Sequence, residues 1–228
     1  MSPLAHPSTL GYAAGVVGAK RRHHIVSADN SDHGTFPGTL GGRTFFRHRE
    51  AKDLGLDARA LRRLVDDGQV ARVARGLYRI ADAEPSEHYT RAAVCARVPG
   101  AIICLLTALS IHELGTQLPR KVWIAIPHKA RAPRVAELPI QVVRFSGASL
   151  RYGVVDTTFE GVPARITNPA RTVVDCFRFH RYAGKAVALE ALRDALYDRK
   201  ATVGQIWRAA EVCRAKSLVG PVLEAMSA

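Results

Sequence analysis

Apolar and polar positions along residues 45–80 follow a helical period first and an extended period afterwards. Residues 47–54 are good helix formers. A second helix is expected over residues 58–67, between an aspartate that can cap its start and a glycine that can end it. Alternating apolar residues then predict two short strands around a tight turn at residues 74–76. Two helices with a short connection, followed by a hairpin, predict a winged helix-turn-helix, which we place at residues 43–82.

The pattern changes after residue 82, and residues 83–228 predict a larger mixed α/β domain with a small sheet and a helical C-terminal region. The whole chain is therefore expected to have an α+β fold. Asn168, Pro169 and the Arg171/Asp175 pair describe a well-made helix start, which favours a structural role for that segment. The expected elements are helices at 85–98 and 104–114 and strands at 121–126, 140–145, 154–159 and 162–166. Three further helices are expected: one begins at Pro169, the next contains Leu189, Leu192 and Leu196, and the third begins at Thr202.

Residues 1–42 mix proline, glycine, serine and histidine without a sustained period, and such a segment buries too little apolar surface to order by itself. We therefore expect a disordered basic arm. Its cluster at residues 20–24, Lys-Arg-Arg-His-His, has two interpretations: a solvated tail, which is favoured, or an arm that contacts phosphates or the minor groove of DNA.

The overall charge narrows the class of partner. The chain of 228 residues has 33 lysines and arginines against 20 acids, a net charge of +13, which favours nucleic acid or a lipid surface. The longest run without a charged residue or a histidine, residues 98–111, has 14 residues and is too short to span a membrane. The four cysteines include no C-x-x-C pair, so we expect them to be reduced and buried. These features predict a cytoplasmic protein with no membrane partner and no metal or cofactor.

The helix at 58–67 carries the strongest candidate for chemistry. At 3.6 residues per turn, Arg59, Arg62 and Arg63 fall on one face, and the apolar residues fall on the opposite face. Such a helix can pack on its own domain and present guanidinium groups to a groove of DNA, as a recognition helix does. Asp66, near the end of the same polar face, is the one residue that weakens this interpretation.

The predicted hairpin adds further positive charge. Residues 69–79 hold three arginines and no acid, so the wing can reach phosphates. A solvated polar face is the alternative for the helix alone, but the adjacent basic wing favours DNA binding. The candidate DNA-binding residues are Arg59, Arg62, Arg63, Arg72, Arg75, Arg79 and Lys52.

Motifs that would indicate an enzyme are incomplete. His112-Glu113 begins like the zinc motif H-E-x-x-H, but Thr116 occupies the second histidine position. Asp156, Glu160 and Arg165 suggest a nuclease-like strand pair, but glycine and valine follow Glu160 where a Glu-x-Lys pattern would be needed. We therefore expect no catalytic or metal-binding residues, and keep a metal-dependent nuclease as an alternative.

Five segments, taken in their order and spacing, resemble one family. They are the helix Leu61–Val65 with Gly68, the wing residues Val73–Tyr78, the helix Thr107–Gly115, the strand Val122–Pro127 and the segment Thr167–Asp175. Together they resemble the AbiEi-type antitoxins, the DNA-binding partners in type IV toxin–antitoxin systems. The resemblance covers residues 45–226.

The resemblance implies two activities. The winged domain would bind double-stranded DNA in its own promoter and repress the operon, and the C-terminal domain would counter a nucleotidyltransferase-like toxin, without a stable complex being required. Beyond residue 80 the chain has 20 lysines and arginines against 13 acids, so this part could extend the DNA footprint or face an acidic or RNA-bound partner. A stand-alone regulator or an RNA binder, with no toxin, is the alternative.

Overall fold

The computed structural model describes residues 43–53, 55–83 and 86–227; the predicted arm at residues 1–42 lies outside them. The two predicted helices and the hairpin are present at residues 48–80, joined by one further strand. These elements are β1 (Phe45–Arg47), α1 (His48–Asp53), α2 (Ala58–Asp66), β2 (Val70–Ala74) and β3 (Leu77–Ile80). The three strands form an antiparallel sheet in the order β1-β3-β2, here called the wing sheet.

Strand β1 is one of the short elements that the sequence pattern did not predict. Phe45 lies opposite Arg79 of β3, and Phe46 lies opposite Tyr78. Because successive side chains of a strand point to opposite faces, the two phenylalanines enter different cores. Phe46 packs with the buried residues of α1 and α2, and Phe45 packs with the larger part of the chain. The pairing with a strand far along the chain makes this segment extended, and no local pattern signals it.

The larger part contains a mixed sheet of five strands in the order β6-β5-β4-β8-β7, which confirms the α+β prediction. β5 with β6 and β4 with β8 are parallel pairs; the other two pairs are antiparallel. The elements are α3 (Tyr89–Arg97), β4 (Ile102–Ile103), α4 (Leu105–His112), β5 (Val122–Pro127), β6 (Ile140–Phe145), β7 (Val154–Phe159), β8 (Val162–Thr167), α5 (Pro169–Arg178), α6 (His180–Ala183), α7 (Lys185–Tyr197), α8 (Val203–Val212) and α9 (Lys216–Ser227).

The two faces of this sheet are covered by different layers. In β4, Ile102 enters the core formed with α4, α5, α7, α8 and α9, and Ile103 enters the core formed with α3 and the wing sheet. Leu77, which is fully buried, belongs to the second core. The boundary that the sequence suggests between residues 82 and 83 therefore marks a change of architecture but no break in packing.

A carboxylate strengthens the contact between the wing sheet and the larger part. At the turn between β7 and β8, Glu160 accepts hydrogen bonds from the hydroxyls of Thr44 and Ser86, each at 2.6 Å. Burial opposes ionisation of Glu160, but these hydrogen bonds and the nearby Arg79 hold its pKa below the usual value. The carboxylate that suggested a nuclease is thus engaged in packing between the two parts.

The described part of the chain contains neither a candidate membrane span nor a candidate metal site. No helix there is long and apolar enough to cross a membrane, and no three side chains of His, Cys, Asp or Glu form a group that could hold a metal ion. The four cysteines are buried and free, as expected, and burial raises the pKa of the Cys95 thiol to about 12.

Histidine 112 makes stability depend on pH. Burial lowers the pKa of His112 below its ordinary value of 6.5, although the hydrogen bond of Nε2 to the Thr167 carbonyl, at 2.6 Å, opposes this. As the pH falls, the unfolded chain therefore binds a proton at a higher pH than the folded chain does, and stability present above pH 6.5 is lost below it.

Urea unfolding is expected to show a lower midpoint at about pH 5.5 than at about pH 7.5. The difference should shrink in His112→Gln and persist in His128→Gln, at an exposed position; an unchanged difference in His112→Gln would contradict the assignment.

Candidate nucleic-acid interface

Helix α2 is formed and oriented by a few residues. The Asp57 side chain accepts a hydrogen bond from the Ala60 N–H at 2.7 Å and caps the first turn. Leu61 and Leu64 are 3% and 4% exposed and pack against Phe46. The helix therefore docks its apolar face on the wing sheet and leaves its opposite face to solvent.

Three arginines occupy that solvent face. Arg59, Arg62 and Arg63 are all exposed. Among the described residues, no carboxylate lies within 4.0 Å of their guanidinium groups. The predicted opposition of a basic and an apolar face is confirmed, and the three cations are available to an anionic ligand.

A groove of about 450 Å³ lies between α2 and the wing sheet. Arg62 from the helix and Arg72 from β2 both line it, together with His48, Asp66 and Tyr78. Arg72 is directly opposite Tyr78 in the sheet, so both side chains are on the face that meets α2. The structure thus brings two of the predicted arginines, from separate elements, to one concave surface.

The turn of the wing places a further cation at the tip of the hairpin. Arg75 is exposed, and Gly76 follows it with φ of 72°, a left-handed conformation that glycine adopts without steric cost. The His48 N–H donates a hydrogen bond to the Gly76 carbonyl at 3.1 Å, so the turn is tied to the start of α1. Arg75 lines a different groove from the one that contains Arg72.

Arg79 does not belong to this surface, and its assignment to DNA is corrected. Its side chain is 6% exposed, and its guanidinium lies 5.2 Å from the centre of the Tyr89 ring and 5.9 Å from that of Phe45. Arg79 and Leu77 are two residues apart in β3, so they share the face that α3 covers. The cation therefore packs inside the molecule, between aromatic rings.

The remaining predicted residue, Lys52, is exposed in the last turn of α1 and is not one of the residues that line the groove. His48 and Tyr78 are the groove residues that the sequence analysis missed. Tyr78 could have been found from the strand alternation, because it lies two residues before Ile80 on the α2 side. Nothing in the local sequence distinguishes His48 from other polar residues at a helix start.

Six of the seven predicted residues are exposed cations, and they lie on two helices and a hairpin. Guanidinium groups donate hydrogen bonds to phosphate oxygens and, in pairs, to the edge of guanine, so a surface of this kind can read the major groove and hold the backbone. The six residues are Lys52, Arg59, Arg62, Arg63, Arg72 and Arg75.

Comparisons with known proteins find a family match over the winged region and a structure of similar fold. Residues 42–81 match a family model described as "Transcriptional regulator, AbiEi antitoxin", which confirms the family resemblance in this region and covers β1 to β3. The chain is similar to the RV2827C protein from Mycobacterium tuberculosis, known from a crystal structure, with a TM-score of 0.50 and 18% sequence identity over 78% of this chain and 71% of that chain. At that identity the likeness concerns the fold. No curated protein matches the sequence.

Proposed function

We propose that the surface formed by α2 and the wing sheet binds double-stranded DNA of the protein's own promoter, and that the protein is an antitoxin that represses its own operon. The observation that carries the proposal is α2 itself, whose buried leucines leave three exposed arginines facing solvent. A helix of this shape fits the major groove, and the adjacent wing reaches the backbone. The family match over residues 42–81 supports the regulatory part of the proposal.

A direct test measures fluorescence anisotropy with the duplex immediately upstream of the gene and with a scrambled duplex of the same composition. We expect tighter binding to the upstream duplex. The log–log dependence of affinity on salt should have a slope approaching about −4.5 per subunit if five arginines each neutralise a phosphate. Equal affinity for both duplexes would contradict sequence-specific repression, and absence of binding would contradict DNA binding altogether.

The second part of the proposal is that residues 83–228 counter a nucleotidyltransferase-like toxin, and it is supported by the resemblance alone. A fragment that lacks the wing sheet is a poor reagent, because Phe45 and Leu77 belong to the core that α3 and the larger sheet share. The full chain with Arg59, Arg62 and Arg63 replaced by alanine is better. Co-expressed with the adjacent toxin gene from an independent promoter, it is expected to restore growth although DNA binding is lost.

Two other functions remain testable alongside this one. A stand-alone regulator would bind the promoter in the same way but would have no nucleotidyltransferase-like gene beside it. A metal-dependent nuclease would nick supercoiled DNA in the presence of magnesium or manganese. No nicking is expected, since Glu160 already accepts hydrogen bonds from Thr44 and Ser86.

A further inference from the structure

A second basic groove lies between the wing and the larger part of the chain. It is open, has a volume of about 770 Å³, and is bounded by the wing turn, the end of α3 and the connection between β5 and β6. Three arginines from these separate segments line it, Arg75, Arg97 and Arg134, with one acid, Glu137. The groove therefore carries an excess of positive charge that local sequence does not reveal.

The cations of this groove have few internal partners. Among the described residues, no carboxylate lies within 4.0 Å of the guanidinium groups of Arg75, Arg97 and Arg134. The Nε atom of Arg97 is buried without a hydrogen-bond partner in the same set. Guanidinium groups that line a groove without a carboxylate partner favour an anionic ligand with oxygen acceptors.

The β5–β6 connection, residues 128–139, is held in place at both ends. Arg144 of β6 donates hydrogen bonds from Nη1 to the carbonyls of His128 at 2.6 Å and Ala130 at 2.7 Å. Near the other end, Val135 and Leu138 are buried in the core that contains the wing sheet. Arg134 is therefore presented from a fixed segment, next to exposed Lys129 and Arg131 in the same connection.

We propose that this groove binds a second stretch of the DNA backbone, so that the footprint continues from α2 across the wing onto the larger part. The inference rests on the proposed DNA-binding function. The hairpin connects the two grooves. Its Arg72 lines the groove beside α2, and its Arg75 lines the second groove. This continuity favours phosphate over an acidic segment of a partner protein. Contacts to phosphate position the protein and carry no sequence information.

The test compares the wild type with three variants. They are Arg134→Ala, the double alanine variant Arg97→Ala/Arg134→Ala and the double lysine variant Arg97→Lys/Arg134→Lys. In anisotropy titrations, each alanine should reduce the magnitude of the salt slope by about 0.9. The double alanine variant should lose roughly 10- to 100-fold in affinity, by the same factor for the upstream and the scrambled duplex. The double lysine variant should keep most of the salt slope of the wild type, and Glu137→Gln should tighten binding.

The matched control is Arg181→Ala/Arg193→Ala, at exposed positions on α6 and α7. It should leave the salt slope and the affinity for DNA unchanged.

The outcomes separate this inference from the function on which it rests. If the wild type binds the upstream duplex and Arg134→Ala keeps the full slope, the second groove is not a DNA site and the proposed function stands. If the wild type binds neither duplex, the proposed function itself fails. If the double alanine variant binds DNA like the wild type but no longer counters the toxin in the growth assay, the groove faces a protein and the inference is overturned. If the double alanine variant loses binding to an RNA of the same sequence but still binds the DNA like the wild type, the inference is overturned as well.

Discussion

Replacing Arg59, Arg62 and Arg63 by alanine is expected to weaken binding to the upstream duplex by about 100-fold or more. A guanidinium group that contacts a base edge contributes about 1–3 kcal/mol of discrimination, and one that contacts phosphate contributes to the salt slope instead. Because the three side chains share one exposed face, their removal takes away the whole basic surface of α2. The ratio of affinities for upstream and scrambled duplex, measured by anisotropy, is expected to fall towards one.

The control for this prediction places the same substitutions elsewhere. Arg181, Arg193 and Arg199 are exposed in the layer of helices on the other face of the large sheet, and their replacement removes the same charge. That variant should retain the affinity ratio. Asp66→Asn removes an acid from the groove beside Arg62 and should tighten binding several-fold. If the α2 variant binds as tightly as the wild type, α2 is not the recognition helix.

Asp175→Asn is expected to lower the free energy of unfolding by about 3–5 kcal/mol, because it leaves two arginines without their buried counter-charge. Arg171 and Asp175 are both fully buried, and Arg171 Nε donates to Asp175 Oδ2 at 2.8 Å. Arg178 donates to the other carboxylate oxygen at 2.9 Å. Arg171 also binds the carbonyls of Ser149 and Tyr152, so the pair anchors α5 to the turn before β7. Guanidinium or urea unfolding measures the loss.

Two comparisons make this prediction specific. Arg208 and Glu211 form an ion pair at 2.6 Å on the exposed surface of α8, and breaking it with Glu211→Gln should change stability little. Gly153, with φ of 65°, has no room for a side chain, because a Cβ there would lie 2.7 Å from Cβ of Arg171. Gly153→Ala is therefore expected to disturb the same anchor. If Asp175→Asn unfolds at the wild-type denaturant concentration, the pair does not stabilise the fold as described.

The candidate site was predictable wherever one local pattern decides the outcome. The helical period alone separates the arginines of α2 from its leucines, and Asp57 and Gly68 bound that helix in the sequence as in the structure. The structural role of the Arg171/Asp175 pair was similarly indicated by the spacing of one helical turn between the two residues. These features involve residues within a few positions of one another, whose geometry the backbone of a helix or a hairpin fixes.

Misassigned residues depend on partners that are distant in the chain. Arg79 is an arginine in a basic hairpin by sequence, yet it is buried because α3 covers its face of the wing sheet. Strand alternation with Leu77 indicates the shared face but not which face is covered. The short strands β1 and β4 were missed for the same reason, since a strand of two or three residues is stabilised by its neighbours in the sheet.

The sequence by itself determined the α+β class, the order of the long elements and the basic face of α2, because hydrophobic periodicity and capping act over one or two turns of chain. Only the tertiary structure decided that the wing sheet packs on both faces, which buries Arg79 and joins residues 43–82 to the larger core. It also decided that Arg97 and Arg134 lie beside Arg75. Burial and charge clustering arise from packing between segments far apart in the chain, and a linear pattern does not record that packing.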